Sequence, residues 1–296
     1  MTVEEGVELS RLTTIGTGGP ARALARPATV GELEEALRWA AERGLEARAV
    51  GLGSNLLAAD EGVDVLIVRL VGELADAEPR ENVLVAGGGA TNAVCLHAAR
   101  AAGLGGFEFA CAIPGTAGGG VWMNAGAYGS DWAAVLVRAL VVTAQGSGWF
   151  SPAELGLSYR HSDLRAGQIV AGVEYRLESR PVAEIKRHVA QLVAQRKETQ
   201  PTTKRTFGSV FKNPPGDVGA GRLIELCGLK GHRIGGAVIS PKHANFIENA
   251  GGATTAECLA LMAEARRRVR EQHGLELEHE VVLLGDLFVS QGLGIR

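Results

Sequence analysis

The sequence predicts an α+β protein of more than one domain, and three observations support that expectation. The chain has 296 residues, of which 46% are hydrophobic and 21% charged, so it is globular and longer than one ordinary domain. Short apolar segments typical of strands alternate with longer segments whose apolar residues recur at helical spacing. Between many of them lie turns that are dense in glycine but also contain large apolar and aromatic residues, which is atypical of flexible linkers.

The first block predicts a small βαβ unit over residues 1–72. Thr29 and Glu32 have the spacing of a capping box, and the apolar residues that follow line one helical face as far as Gly44. This helix lies between predicted strands at residues 22–26 and 46–50, and another strand is predicted at 64–70.

The second block, residues 73–199, repeats the alternation. A strand at 82–86 leads through a glycine loop at 87–89 into a helix at 91–100 that Gly103 closes. Strands are predicted at 139–143 and 169–177. A helix beginning at Pro181 ends before Gln200-Pro201, because the residue before a proline disfavours helix. The sequence therefore predicts a domain boundary near residue 200.

The third block, residues 200–296, again mixes strands and helices. Strands are predicted at 209–212, 236–239 and 245–248, with a helix at 220–227 between the first two. A second helix begins after Thr254, which has Glu257 at capping-box spacing, and strands are expected at the end of the chain.

Composition limits the partners. A net charge of −3 gives no footprint for nucleic acid or an acidic membrane surface, so small molecules are expected. The first ten residues are acidic, and no run approaches the roughly 18 apolar residues of a membrane helix, which favours a cytoplasmic protein. The four cysteines are widely separated and the histidines lack helical zinc spacing, which predicts reduced structural thiols and no metal.

Three glycine-rich turns indicate a ligand that carries phosphate. They cover residues 14–20, 51–57 and 112–129. Glycine permits close approach of the backbone to a ligand, and backbone N–H groups can bind phosphate oxygens. The turn at 51–57 lacks the third glycine of a Rossmann fingerprint and runs into no helix. Taken alone it also fits an ordinary connection between strands.

Six segments resemble those of bacterial UDP-N-acetylenolpyruvoylglucosamine reductases, the MurB family. They follow the family's order over nearly the whole chain: G-L-G-S-N-L-L at 51–57, I-P-G-T-A-G-G at 113–119, M-N-A-G-A-Y-G at 123–129, S-Y-R-H-S at 158–162, G-S-V-F-K-N-P at 208–214 and L-E-H-E-V at 277–281. The short distance from Arg160 to Arg196 is similar to that of the family's shorter, second type.

The resemblance implies a fold and a reaction. The fold is the FAD-binding fold of the vanillyl-alcohol-oxidase (PCMH) type in two subdomains, 1–72 and 73–199, followed by a substrate-binding domain at 200–296 whose final strands could pack back on the FAD-binding part. The implied reaction is the reduction of UDP-N-acetylenolpyruvoylglucosamine to UDP-N-acetylmuramate in peptidoglycan precursor synthesis. Non-covalently bound FAD carries the hydride from NADPH in a cytoplasmic enzyme. The sequence leaves the oligomeric state open, with a monomer as the expectation.

The resemblance also assigns residues. Arg160 is expected to bind the substrate carboxylate, Ser209 to protonate the substrate carbon, and Glu280 to assist as an acid or by holding the carboxylate. Substrate binding is assigned to Tyr159, Arg196, Lys212 and Asn213. FAD binding is assigned to Gly51, Gly53, Ser54, Asn55, Leu56, Pro114, Gly115, Gly118, Gly119, Asn124, Gly126, Ile169 and Val170. Without the resemblance, Arg160, Ser209 and Glu280 would each also fit a structural or solvated role.

One departure and two alternative functions remain. The family often has arginine two residues after the glutamate, where this chain has Val282. Either Arg160 and Arg196 suffice, or Lys242 or Arg233 compensates. One alternative is another flavin-dependent oxidase or dehydrogenase acting on a sugar or hydroxy acid. The other is a catalytically silent flavin- or nucleotide-binding protein.

Overall fold

The computed structural model describes residues 2–287 and divides into two compact units. The first unit comprises the N-terminal segment up to Glu5, Arg22–Leu52 and Asp64–Arg196. The second comprises Gly6–Ala21, Gly53–Val63 and the chain from Lys197 onward. Each unit is therefore assembled from segments that are far apart in sequence.

Seven α-helices lie in the described part of the chain: α1 Val30–Glu42, α2 Asn92–Ala101, α3 Ala117–Trp122, α4 Trp132–Val135, α5 Val182–Thr199, α6 Ala220–Leu226 and α7 Thr255–His273. Both predicted N-cap residues are confirmed, but the reciprocal half of the capping box predicted at Thr29 is not, because the Glu32 carboxylate accepts from the Ala28 N–H at 2.7 Å. The Thr29 hydroxyl accepts from the Glu32 N–H at 3.2 Å, and Thr254 and Glu257 form a reciprocal capping box. These caps satisfy N–H groups that have no partner within the helix.

Nineteen strands lie within the same residues: β1 Val3–Glu8, β2 Pro20–Ala25, β3 Glu46–Ala49, β4 Leu56–Ala58, β5 Val63–Val68, β6 Ala77–Arg80, β7 Val83–Gly87, β8 Leu104–Gly105, β9 Gly126–Ala127, β10 Ser130–Asp131, β11 Leu136–Thr143, β12 Gly146–Phe150, β13 Ile169–Arg176, β14 Glu178–Ser179, β15 Thr206–Ser209, β16 Arg233–Ile234, β17 Ala237–Ile239, β18 Phe246–Asn249 and β19 Val282–Leu284.

Two larger sheets form the first unit. One has the order β1-β2-β5-β3, with β3 and β5 parallel, as the predicted βαβ unit requires. The other is an antiparallel sheet of order β12-β11-β13-β7-β6. The apolar face of α1 packs with strands of both sheets in one core, whose members include Leu33, Leu37, Leu66, Val142 and Ile169. A second core surrounds the buried Trp132, whose indole N–H donates to the Tyr175 hydroxyl at 2.8 Å.

The second unit contains a four-stranded sheet of order β15-β18-β17-β16 and a parallel pair of β4 with β19. Its core joins the apolar side of α7 to residues from all three segments of the unit, among them Ile15, Leu57 and Phe207. The Asp60 carboxylate also accepts from the Thr255 N–H at 2.9 Å at the start of α7. The short segments before residue 64 are therefore integral to this unit.

The predicted strand at residues 209–212 is wrong. The strand in this region is β15, which ends at Ser209. The main chain of Val210 donates to the Asn245 carbonyl at 2.9 Å, and Phe211 N–H donates to the Asn245 side chain at 2.9 Å, so this segment pairs irregularly. The apolar residues of this segment are typical of a strand, but they do not show where its main-chain partners lie. The prediction therefore failed.

The glycine loop and the cysteines can also be compared with the predictions. The glycine loop, residues 112–129, contains the short helix α3, which the sequence did not predict. All four cysteines are unpaired thiols, as predicted, and burial raises the pKa of Cys95 and Cys258 to about 12. Among the described residues, no helix combines the length and apolar composition needed to cross a membrane.

Candidate active site

The first unit fixes the start of the glycine loop against residues 88–92. The buried Asn92 donates from its side chain to the Ile113 carbonyl at 2.8 Å and from its main chain to the Gly115 carbonyl at 3.0 Å. Gly118 N–H donates to the Gly88 carbonyl at 2.8 Å. The backbone around the exposed Pro114 is therefore held in one shape.

The glycines of this unit serve two different purposes. A Cβ on Gly51 would lie 2.6 Å from the Thr116 hydroxyl, and one on Gly118 would lie 2.9 Å from the Val170 carbonyl oxygen. These two glycines are required by packing within the protein. Gly119 is exposed, and the nearest atom to its Cβ would be the Thr116 hydroxyl at 3.5 Å. Of the three, Gly119 has the open surface that a ligand could approach.

Three predicted FAD-binding residues use their side chains within the protein. Ile169 and Val170 are buried members of the two cores. Asn124 is 1% exposed, and its side chain makes hydrogen bonds to three protein groups. Any contact of these residues with FAD would involve their main chain, and that role stays a prediction.

Arg160 lies on a tight turn formed by residues 158–161, which we call the Arg160 turn. Ser158 and His161 exchange two main-chain hydrogen bonds of 3.1 Å, and Arg160 has a left-handed φ of 53°. A guanidinium nitrogen of Arg160 donates to the Gly126 carbonyl at 2.6 Å, and the guanidinium carbon is 5.2 Å from the centre of the exposed Tyr159 ring. A non-glycine residue in this conformation is costly, and such strain concentrates at functional sites.

Arg196 approaches the same loop from α5. Its half-buried guanidinium interacts electrostatically with Tyr128 and Cys111, and burial lowers its pKa. The Tyr128 hydroxyl donates to the Leu192 carbonyl at 3.2 Å, one turn earlier on α5. Among the described residues, the buried Nε of Arg196 has no hydrogen-bond partner. The first unit therefore brings both predicted arginines to residues 126–128.

In the second unit, a β-bulge sets the position of Ser209. Ser209 pairs with Phe246 and Thr206 with Glu248, so the register shifts between them. Gly208 within the bulge has a φ of 81°, and a Cβ there would lie 3.2 Å from the Ser54 carbonyl oxygen. Bulges redirect side chains and often lie next to active sites. The Ser209 side chain is half-buried.

Glu280 lies beside the segment that follows Ser209. Its N–H donates to the Val210 carbonyl at 2.8 Å, and its carbonyl accepts from the Asn55 side chain at 3.1 Å. The Val282 N–H then donates to the Asn55 carbonyl at 3.0 Å. The chain around Glu280 thus lies between residue 210 and the turn at 54–55, so Ser209, Asn55 and Glu280 belong to adjacent segments of one unit.

Gly53 is closely packed against the neighbouring chain. A Cβ on this buried glycine would lie 2.0 Å from the Leu12 carbonyl oxygen, and its φ is 62°. Its carbonyl also accepts from the Thr14 N–H at 3.1 Å. The neighbouring chain therefore accounts for this glycine, whatever FAD contact its main chain makes. Leu56, which is also predicted to bind FAD, begins β4 directly opposite Val282 of β19.

A polar cavity of about 380 Å³ lies in the second unit next to Asn213. Its lining combines four basic side chains with one carboxylate and one amide: Arg222, Lys230, Lys242, His243, Glu225 and Asn213. Glu225 forms ion pairs with Lys230 at 2.9 Å and Arg222 at 3.3 Å. Burial lowers the pKa of His243, whose Nδ1 lies 3.2 Å from the Asn245 N–H.

The remaining predicted residues have clear positions. Lys212, which is largely buried, forms an ion pair of 2.6 Å with Glu278. Val282, where the family often has arginine, is a half-buried strand residue. Of the two residues considered as compensation, Lys242 lines the cavity, whereas the Arg233 side chain donates to the Gly235 carbonyl at 2.7 Å.

Sequence reasoning missed three kinds of residue. Asn245 and Asn92 bind main-chain groups far away in sequence, which no local pattern indicates. Lys230 and His243 become notable only because the fold places them beside Asn213 in a cavity. Tyr128 lies within one of the family motifs, but its left-handed φ of 55° and its proximity to Arg196 are visible only in the structure.

Comparison with known proteins identifies the family. Residues 200–284 match the model of the C-terminal domain of UDP-N-acetylenolpyruvoylglucosamine reductase, and residues 21–148 match that of an FAD-binding domain. The reductase of Myxococcus xanthus is 43% identical over 288 residues, which cover 96% of this chain and 93% of that protein. The chain belongs to the UDP-N-acetylenolpyruvoylglucosamine reductase family.

Two further relatives agree. UDP-N-acetylenolpyruvoylglucosamine reductase 2 of Symbiobacterium thermophilum is 45% identical over 94% of this chain and 90% of its own length. The crystal structure of the Thermus caldophilus enzyme superposes with a TM-score of 0.83 at 39% identity, covering 96% of this chain and all of that one. The predicted resemblance and the α+β, vanillyl-alcohol-oxidase type of fold are confirmed.

Family membership establishes the type of chemistry. Reductases of this family use FAD, with NADPH as hydride donor, to reduce UDP-N-acetylenolpyruvoylglucosamine to UDP-N-acetylmuramate for peptidoglycan. The chain is an FAD-dependent oxidoreductase.

Proposed function

We propose that this chain carries out its family's reaction with Arg160, Ser209 and Glu280 as the groups that act on the enolpyruvyl part of the substrate. The observation that carries this proposal is the β-bulge at residues 206–209, which fixes Ser209 in the segment next to Glu280. A proton donor must be held in place to be effective, and the bulge provides that constraint.

The first unit has features that fit FAD. The backbone of residues 113–118 is rigidly held, and the exposed Gly119 leaves room beside Thr116 that a side chain would fill. We propose that the main chain of Pro114, Gly115 and Gly119 contacts the cofactor, together with the predicted residues of the 51–56 turn. FAD, when bound, would supply hydride taken from NADPH to the terminal carbon of the enolpyruvyl double bond.

Arg160 would stabilise the negative charge that develops on the substrate. Its guanidinium is half-buried, and its conformation is fixed by the turn and by the Gly126 carbonyl. Guanidinium binds a carboxylate through two parallel hydrogen bonds, and a preorganised donor needs little rearrangement during the reaction. Arg196, which interacts with Tyr128 of the same loop, is the second cation proposed to bind substrate.

Ser209 would give its hydroxyl proton to the substrate carbon next to the carboxylate. A hydroxyl is a weak acid, so this step requires a strongly basic carbon and a fixed contact. Glu280, whose main chain is bound on both sides, would hold the carboxylate or assist as an acid. Both roles require a protonated Glu280, because an ionised carboxylate only accepts hydrogen bonds and would repel the substrate carboxylate. They differ in whether that proton is transferred, so Glu280→Gln, which can donate a hydrogen bond but no proton, should stay active only if Glu280 holds the carboxylate.

The cavity beside Asn213 is proposed to bind the nucleotide part of the substrate. Its volume lies within the range of small-molecule sites, and Arg222, Lys230 and Lys242 supply positive charge suited to a diphosphate. Asn213, with its amide, and Lys212, just before it, are two of the residues to which the family resemblance assigns substrate binding.

Anaerobic photometry tests the function. NADPH should bleach the bound flavin, and only the enolpyruvyl UDP-sugar should rapidly restore its colour. Restoration by oxygen during turnover of a sugar or hydroxy acid would support the oxidase alternative instead. If NADPH failed to bleach the flavin, the reductase proposal would be abandoned. The cytoplasmic location, the monomeric state and the roles in cell shape and division belong to the same proposal, and fractionation, light scattering and gene depletion test them.

A further inference from the structure

We infer that Asn124 is a positioning residue for Arg160: its buried side chain holds the Arg160 turn in the shape that presents the guanidinium. The inference rests on the proposed role of Arg160 and adds a residue that acts through it. It differs from the expected FAD contact of Asn124, because it depends on the side chain and on a segment 34 residues away.

The Asn124 side chain connects three parts of the first unit. Its Nδ2 donates to the Ser158 carbonyl at 2.8 Å and lies 3.3 Å from a carboxylate oxygen of Asp131. Its Oδ1 accepts from the Ala133 N–H at 2.9 Å. Ser158 is the first residue of the Arg160 turn, so the amide binds this turn directly. Because Asn124 is only 1% exposed, water cannot readily replace these hydrogen bonds.

Two further bonds tie the Arg160 turn to the same stretch of the glycine loop. The Ser162 hydroxyl donates to the Trp122 carbonyl at 2.6 Å, just after the turn. The Arg160 guanidinium donates to the Gly126 carbonyl, also at 2.6 Å. Residues 122–126 therefore hold the turn at its first residue, just after its last residue and at the Arg160 side chain.

Backbone conformation supports the same conclusion. Asn124 and Arg160 both have left-handed φ angles, of 37° and 53°. Asparagine tolerates this region better than most residues, whereas arginine there requires support from its surroundings. The amide of Asn124 donates to Ser158 and accepts from Ala133 within one short planar group. An aspartate would keep the acceptor but lose the donor, and it would place a second carboxylate beside Asp131.

The test uses Asn124→Asp and Asn124→Gly in the FAD-loaded enzyme. Both variants should bind FAD and undergo NADPH-driven flavin reduction within about twofold of wild type. Reoxidation by the enolpyruvyl UDP-sugar should slow about 10- to 100-fold, because small displacements of a catalytic group cost that much. The KM for this substrate should rise. Ser162→Ala removes the second tie without altering a left-handed residue, and it should produce a smaller change of the same kind.

A double-mutant cycle distinguishes positioning from general damage. In an Arg160→Ala background, Asn124→Gly should cause no further slowing of reoxidation, because its effect passes through Arg160. Glu81→Gly is the matched control, since Glu81 is an exposed residue with a left-handed φ of 51° in another turn of this unit. It should leave both half-reactions unchanged.

The outcomes separate this inference from the proposed function. Weakened FAD binding, equal slowing of both half-reactions, or additive effects with Arg160→Ala would overturn the positioning role. Normal reoxidation in both Asn124 variants would also overturn it, whatever the result for Ser162→Ala. If wild-type flavin were not reoxidised by the enolpyruvyl sugar, the proposed function would fail. The positioning role would then fail with it, because it presupposes that Arg160 binds this substrate.

Discussion

Two buried asparagines support Arg160 and Ser209, two of the three proposed catalytic groups, and they do so in different ways. Asn124 binds the Ser158 carbonyl and so holds the turn that carries Arg160. Asn245 binds both the N–H and the carbonyl of Phe211, two residues after Ser209, at 2.9 and 2.8 Å. Each unit therefore uses a side-chain amide where a regular element ends and a functional residue must be fixed.

The difference lies in what else holds each segment. After Ser209, main-chain bonds add to the Asn245 side chain: Val210 binds the Asn245 carbonyl and the Glu280 N–H, and the Lys212 N–H binds the Glu278 carbonyl. Around the Arg160 turn, by contrast, the ties to residues 122–126 all involve side chains. Because main-chain bonds survive most substitutions, single mutations should change the position of Arg160 more readily than that of Ser209.

The largest effect should come from Ser209→Ala, which removes the hydroxyl and leaves its supporting bonds intact. FAD binding and NADPH-driven reduction should stay near normal, while reoxidation by the enolpyruvyl sugar should slow about 10²- to 10⁴-fold. Stopped-flow absorbance measures the two half-reactions, with the exposed strand residue Ser147→Ala as control. Normal reoxidation would transfer the donor role to Glu280, and equal slowing of both steps would indicate a structural serine.

Two glycines extend the comparison from side chains to the backbone. Gly53→Ala should lower the free energy of unfolding by about 3–5 kcal/mol, because its Cβ would collide with the Leu12 carbonyl and its φ is positive. Gly119→Ala should leave apoprotein stability unchanged or higher but weaken FAD binding. Urea denaturation and flavin titration separate the two effects. Unchanged FAD affinity in Gly119→Ala would show that this glycine does not face the cofactor.

Arg160→Lys tests geometry at constant charge. A lysine cannot form two parallel hydrogen bonds to a carboxylate, so turnover should fall about 10²-fold with little change in FAD affinity. Steady-state kinetics with the enolpyruvyl sugar provides the measurement, and flavin absorbance provides the control for cofactor content. Near-normal activity would move the carboxylate-binding role to Arg196.

Asn245→Ala should primarily affect stability. Loss of its side chain leaves the buried N–H and carbonyl of Phe211 without these partners, at a cost of about 2–4 kcal/mol. The substrate half-reaction should slow less than tenfold, because the main-chain bonds of Val210 and Lys212 remain. A larger slowing than in Asn124→Gly would contradict the proposed difference between the units.

The smallest effect is the pH dependence that His243 contributes. Burial in the folded protein lowers the pKa of this side chain below its ordinary value of 6.5, so folding favours the neutral ring. Its contribution to stability is full above the unfolded-state pKa and is lost as pH falls from about 6.5 towards the folded-state pKa. Urea denaturation between about pH 7.5 and 5 should therefore show a steeper acid loss for wild type than for His243→Gln. Parallel curves would contradict this assignment.

Local signals made most elements predictable. The caps at Thr29 and Thr254 require only residues three positions apart, and both helices begin as the sequence indicates. The motifs also identified the family correctly. The strand predicted at 209–212 failed because Asn245 and the segment at 278–280, both distant in sequence, determine the main-chain partners of Val210 and Phe211. The function of Asn124 is hidden for the same reason.

The glycines show a similar limit. The sequence indicated why glycine is unusual at positions 53 and 119, but it could not tell whether a ligand or the protein itself requires it. In the structure, a Cβ at position 53 would collide with the Leu12 carbonyl, so packing within the protein requires this glycine. No protein atom would obstruct a Cβ at position 119. The assigned FAD and substrate contacts, and the three-domain division, remain predictions for the experiments above.

The order in which the ribosome makes this chain has a consequence for the second unit. The Asn55 side chain donates a hydrogen bond to the Glu280 carbonyl, although 225 residues separate the two. At about 5–20 residues per second, the turn at 54–55 emerges roughly 10 to 45 seconds before the segment that it binds. A nascent chain ending at Arg196 would still lack β19, and β4 would have an unpaired edge open to incorrect pairing. Growing chains of this protein should therefore depend on chaperones until translation is nearly complete.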